Sequence, residues 1–224
     1  MGVTIHYRST IDLARLPAMV AGLKEIAAHY GWGYTVMEDG EVTDHLGAAD
    51  EEPEEEVEEE EEARAKEDEG IQIEGPIPLS GIILNPGEGC ESIWLLYRAN
   101  GRSSSIMTYV LARDGFLPED KGWVWTKTQF TRLEVHVVLV ELLRYLGQHY
   151  LSSLEVNDEG QYYETGDLAQ LQHLREKLNF WLGRIVEGLS RVDRGERGKT
   201  MSPDALADRI ERMVRELWQR EPEK

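Results

Sequence analysis

Residues 50–69, DEEPEEEVEEEEEARAKEDE, limit what this chain can fold into more than any other stretch. They hold 14 acidic residues against Arg64 and Lys66, a net charge of −12. A block of that kind repels itself and has almost no apolar surface to bury, so it cannot contribute to a core. The expectation is a disordered acidic loop over 48–72 that interrupts a single domain spanning 1–190. A polar linker at 191–201 and an amphipathic C-terminal helix at 202–220 follow. The whole chain carries −19, which leaves −7 on the other 204 residues, so the body is only mildly acidic. Such a loop serves either as a tether for a basic protein partner, as a nucleic-acid mimic, or as a solvated, solubilising insertion. Direct nucleic-acid binding is not expected, because affinity for phosphates requires a basic surface.

The length of 224 residues is enough to bury a substantial core without covalent staples. A single cysteine excludes an internal disulfide framework and fits a reducing compartment. No apolar run approaches the roughly 18 residues that a membrane span needs. The first residues, MGVTIHYRST, have neither an apolar signal core nor the serine or threonine of a myristoylation site. These features point to a cytoplasmic protein with no membrane association.

The periodicity alternates between strands and helices. Val3 to Arg8 alternates as a strand with Val3, Ile5 and Tyr7 inward. A helix follows with Leu16, Met19, Val20, Leu23, Ile26, Ala27 and Tyr30 on one face, Pro17 near its start and Gly31 as C-terminal cap. Tyr34–Glu38 is the next strand. Leu79–Asn85, Ser92–Arg98 and Ser104–Leu111 are predicted as three more strands, the last two joined at the Asn100-Gly101 turn. Residues 85–92 form a glycine-rich loop. Gly87 and Gly89 match only a fragment of a dinucleotide fingerprint, with no third glycine and no following helix, and no cofactor is expected.

The stretch from Trp123 to Thr165 gathers most of the residues that could do chemistry. Trp123, Trp125, Lys127 and Gln129 fall on one face of a strand. Thr131 and Glu134 have the spacing of a capping box for the helix over 132–150. On that helix Glu134, Glu141, Arg144 and Gln148 make a narrow polar stripe, and His136 projects opposite it among leucines, as a core histidine bonded to a backbone carbonyl would. His149 lies near the stripe's edge. Asn157-Asp158-Glu159-Gly160 is expected to be the solvated tip of a hairpin between Leu154–Val156 and Gln161–Glu164. Beyond it, Asp167 and Gln170 have capping-box spacing for a long helix ending near Leu189.

Together these elements predict an α+β fold, a mixed and largely antiparallel sheet of about six to eight strands with helices on one face. The order of helix, five strands and helix from Leu13 to Tyr150 is similar to the half-repeat of TATA-binding-like folds. That likeness is one of order, covers about half the chain and implies no function.

Three functional readings follow. The first is a non-enzymatic intracellular interaction or adaptor protein, which engages a basic partner through residues 50–69 or a second copy through the C-terminal helix. The second is a small-molecule binder or hydrolase-type enzyme with a pocket formed by Trp125, Lys127, Gln129, His136, Tyr162 and Glu164, where aromatic walls meet a few polar groups. The third is a metal-dependent protein that uses the carboxylates from Asp158 to Asp167, among them Glu159 and Glu164, with a histidine, although their spacing fits no EF-hand loop. Cys90 lacks a neighbouring histidine in the sequence and is expected to be an ordinary small residue entering a strand.

Overall fold

The computed structural model describes residues 3–47, 77–118 and 123–195, without the side chains of 181–182 and 184–195. The acidic loop, most of the expected linker and the expected C-terminal helix lie outside the described residues. The chain divides into two units, residues 1–170 and residues 171 onward.

The first unit is α+β, and among its described residues all strand pairs are antiparallel. Strand β1 (Thr4–Ile11) leads through a turn of 3-10 helix (Leu13–Arg15) into α1 (Leu16–Tyr30). Asp12 caps that turn, its carboxylate accepting from the Ala14 N–H, and Pro17 sits where a missing N–H costs nothing. Gly31 closes α1 at φ 68°, the left-handed conformation in which glycine has no Cβ penalty. β2 (Gly33–Glu38) and β3 (Glu41–Leu46) form a hairpin, followed by β4 (Ser80–Asn85), β5 (Ile93–Tyr97) and the two-residue β6 (Ser103–Ser104). Then come α2 (Ile106–Arg113), β7 (Val124–Lys127), α3 (Leu133–His149), β8 (Leu151–Asp158), the short α4 (Tyr162–Thr165) and α5 (Leu168–Gly195). Helix α5 starts within the first unit and takes up the first five residues of the expected linker.

Among the described residues eight strands fall into two sheets rather than one, ordered β3-β2-β4-β5-β6 and β7-β1-β8. They meet at the C-terminal end of β1, where Thr10 bridges to Arg102 and the Ile11 N–H donates to the Gly101 carbonyl at 2.9 Å. Gly101 has φ 76°, and a Cβ there would lie 2.4 Å from the Ile11 carbonyl oxygen, so the Asn100-Gly101 turn requires its glycine. Tyr7 ties the sheets further. Its buried hydroxyl donates to the Trp94 carbonyl and accepts from the Trp94 N–H, both at 3.0 Å.

The main core lies between the two sheets and helices α1 and α3. Ile5, Tyr7 and Val124 meet Met19, Leu23, Leu139 and Leu146, with Ile82, Leu84, Ile93 and Leu95 from the larger sheet. A second cluster of Met37, Leu79 and Leu96 occupies the opposite face of that sheet, where Ile106 and Tyr109 of α2 pack on it. Strands β4 and β5 are therefore covered on both sides. Among the described residues no helix is long and apolar enough to cross a membrane.

Several local expectations are overturned. Ser104–Leu111 is not a strand. The Ser105 hydroxyl accepts the Thr108 N–H at 3.0 Å and starts α2, whose Ile106 and Tyr109 share a helical face despite their β-favouring side chains. The helix–five strands–helix order consequently runs from Leu16 to Arg113, and α3 follows only after β7 in the other sheet. The N-cap of α3 is Arg132, which makes no side-chain capping bond, and Thr131 lies buried one residue before it. Residues 161–164 are not a returning strand but lead into and form α4.

Candidate functional site

The side chains singled out in Trp123–Thr165 divide between the two faces of the three-stranded sheet. On β7, Val124 and Thr126 are buried while Trp125 is 42% exposed and Lys127 half-buried. Trp125 sits opposite His6, and Lys127 opposite Thr4. The outer face of β1 carries Thr4, His6, Arg8 and Thr10, and across it lie Asn157, Glu155 and Ser153 of β8. Arg8 stacks its guanidinium 4.9 Å from the Trp123 ring centre and bonds Glu155 at 2.6 Å. His6 meets Glu159 at 3.4 Å, and the Lys127 ammonium lies 5.6 Å from the ring centre of Phe130, which is 65% exposed. The outer face therefore brings Trp123, Trp125 and Phe130 together with Arg8 and Lys127, and Glu155 and Glu159 lie beside them.

The inner side holds a buried polar network in which His136 is fully enclosed. Its Nδ1 lies 2.7 Å from the Thr128 hydroxyl and its Nε2 3.1 Å from Asp158 Oδ2. Thr128 also reaches the Val3 carbonyl at 3.0 Å, and Asp158 Oδ1 and Oδ2 accept the Gly160 and Tyr163 N–H groups at 2.7 and 3.0 Å. Burial raises the Asp158 carboxyl, but the His136 bond and charge, with the Tyr163 and Gly160 amides, outweigh it and hold the group below the usual carboxylate range. His136 is thus a core residue, as its position on α3 implied, but its partners are a hydroxyl and a carboxylate rather than a carbonyl.

Hydroxyl, imidazole and carboxylate in line have the order of a nucleophile, base and orienting acid. Here the arrangement is closed to substrate, since Thr128, His136 and Asp158 are all buried and each spends its polar atoms on fixed neighbours. The network works as a structural tie between β7, α3 and the end of β8.

The six expected pocket residues do not converge. Trp125 and Lys127 point outward, Gln129 is buried past the end of β7, and His136 lies inside. Tyr162 packs on the core from α4, with the Arg144 guanidinium 5.8 Å from its ring centre. Glu164 is exposed and accepts the Asp158 N–H at 3.4 Å. An apolar void of about 10 Å³ among Ile5, Tyr7, Ile93, Thr126 and three leucines of α3 has the volume of about one water and is too small for an organic ligand.

The four carboxylates of the metal reading are likewise separately employed. Asp158 is buried rather than at a solvated tip. Glu159 accepts the Thr4 N–H and meets His6, and Asp167 Oδ1 caps α5 through the Ala169 and Gln170 amides at 2.9 and 3.0 Å. Among the described residues no group of three or more His, Cys, Asp or Glu side chains converges as metal ligands would. Cys90 sits half-buried in the 85–92 loop, and burial, helped by Glu91, pushes its thiol up to about 12, which disfavours the thiolate.

Sequence reasoning missed Thr128 and the role of Asp158. The signal was available in part, since Asp158 followed by Gly160 is an Asx-turn pattern. Nothing in the spacing pairs either residue with His136. No family model matches the chain, and no curated protein or solved structure matches it either.

Proposed function

We propose that this chain is a non-enzymatic interaction protein that recognises a partner through the outer face of the β7-β1-β8 sheet. The supporting observation is the half-exposed aromatic and cationic surface of Trp123, Trp125, Phe130, Arg8 and Lys127 on that face. Tryptophan and arginine are the residue types that most often carry binding energy at protein interfaces. The hydroxyl, imidazole and carboxylate that stand in catalytic order lie on the other side, enclosed and mutually satisfied. The acidic segment 50–69 adds a second contact suited to a basic protein, and the strong net negative charge argues against direct nucleic-acid binding. The single cysteine fits a cytoplasmic location.

The test is site-specific photocrosslinking in the native host, with the crosslinker at position 125 or 130 and, as controls, at positions 113 and 41. Adducts to one discrete partner at 125 and 130, absent at 113 and 41, support the reading. Equal yields at all four positions overturn it.

A further inference from the structure

An exposed sheet edge presents unpaired N–H and C=O groups that can recruit another strand, and the two edges of the three-stranded sheet differ in this respect. On β7, the Glu91 carboxylate accepts the Lys127 N–H and the Glu91 N–H donates to the Lys127 carbonyl, both at 3.0 Å. β8 has no such cover along its middle. Its register with β1, together with the Glu159 N–H donating to the Thr4 carbonyl, turns the backbone groups of Ser153, Glu155 and Asn157 toward β1 and those of Leu154, Val156 and Asp158 away from it. The Asp158 N–H goes to Glu164, and Ser152 is the extra residue where the register shifts. Between these ends the N–H and C=O groups of Leu154 and Val156 point off the sheet, and among the described residues no strand pairs with them.

The side chains beside this gap select its occupant. On the inner side Leu154 and Val156 pack on the core but stay half-buried, and Leu154 rests on α3 at Gly147, where a Cβ would meet its Cδ2 at 3.0 Å. On the outer side the Glu155 side chain is 58% exposed although Arg8 bonds it, and that of Glu159 is 37% exposed beside His6. Residues 151–164 contain Glu155, Asp158, Glu159 and Glu164 and no lysine or arginine. β3, the free edge of the larger sheet, differs again, since all six of its residues are exposed and it offers no half-buried core side chain to cover.

We propose that the β8 edge from Ser153 to Asn157 binds an extended peptide as an added antiparallel strand. Its apolar side chains cover Leu154 and Val156, and its alternate, basic side chains meet Glu155 and Glu159. Main-chain bonds to Leu154 and Val156 supply the affinity, and the two rows of side chains supply the choice of partner. β1 separates this edge from Trp125 on β7, so the edge and the aromatic surface are distinct contacts.

The probe is the synthetic peptide Lys-Val-Lys-Val-Lys-Val-Lys, added to the full chain while backbone amide resonances and hydrogen exchange are followed. With a Kd below about 1 mM, it should slow exchange of the Leu154 and Val156 amides at least about tenfold and leave α1 unchanged. The same peptide with glutamate for lysine should protect neither amide, and neither should the lysine peptide with N-methylated valines, because those N–H groups would face β8. Val156→Pro removes an outward donor while Glu155 and Asn157 keep the ladder to β1, so it should fold and weaken the peptide at least about tenfold. The Trp125→Ala/Phe130→Ala variant should bind the peptide as wild type does, which separates a failure here from a failure of the outer-face reading. The edge site is overturned if the lysine peptide leaves both amides unprotected, if the glutamate peptide protects them equally, if N-methylation changes nothing, or if the double variant loses the peptide. Protection that rises with protein concentration and needs no peptide would overturn it in favour of a second copy of the chain. Should Val156→Pro not fold, the methylated peptide decides alone.

Discussion

The five-stranded sheet and the three-stranded sheet are built from similar strands but are covered differently. β4 and β5 have side chains packed on both faces, by the main core on one side and by α2 on the other. β1 alternates strictly, with Ile5, Tyr7, Ser9 and Ile11 buried and Thr4, His6, Arg8 and Thr10 half-exposed between them. Strands covered on both faces have no face to spare, whereas β1 is covered on one face only. In this protein the spare face carries Trp125 and Arg8, and the covered face of the same sheet carries the buried His136–Asp158 tie.

The strongest way to break this comparison is His136→Ala. It removes the ring that meets Thr128 and Asp158, leaves a cavity in a fully enclosed site and should cost about 3 kcal/mol in urea unfolding. A loss under about 1 kcal/mol would mean that the tie is idle. Leu84→Ala in the doubly covered sheet should cost about 3 kcal/mol by leaving a cavity in a fully buried site.

Acid sharpens the contrast. Because Asp158 is held below its ordinary value in the fold, its contribution is complete above the unfolded value of about 3.9 and fades as pH falls through the lower folded value. The stability gap between wild type and Asp158→Asn should therefore be flat from pH 5 to 7 and shrink below about pH 4, measured as urea midpoints. On the outer face, Trp125→Ala should shift stability by less than about 1 kcal/mol while removing partner binding. The smallest effect concerns Cys90, whose raised thiol should resist iodoacetamide at pH 8 and react only after denaturation.

Much of the fold was legible where a single period dominates. Ile5 and Tyr7 alternate, and Met19, Leu23 and Ala27 recur at helical spacing, so β1 and α1 could be placed with their buried faces. Gly31 and Asp167 announced helix ends by their own chemistry. β3 went unread because all six of its residues are exposed and show no apolar alternation, yet Asp39-Gly40, with φ 51° and 90°, is a hairpin signal that could have found it. α2 was misread because Ile106, Thr108, Tyr109 and Val110 favour strands locally, and only the Ser105 cap and packing on Leu79 and Leu96 decide for a helix. The site was hardest. The tie joins Thr128, His136 and Asp158 through tertiary packing, and strand alternation grouped Trp125 with Gln129 although the strand ends at Lys127 and the chain turns inward.

The most direct measurement is quantitative affinity capture from the native host with wild type, the Trp125→Ala/Phe130→Ala double variant and His136→Gln, each first shown to be folded. One partner enriched by wild type and by His136→Gln, but lost with the double variant, is the expected result. A partner retained by the double variant, or lost with folded His136→Gln, would contradict the assignment of recognition to the outer face.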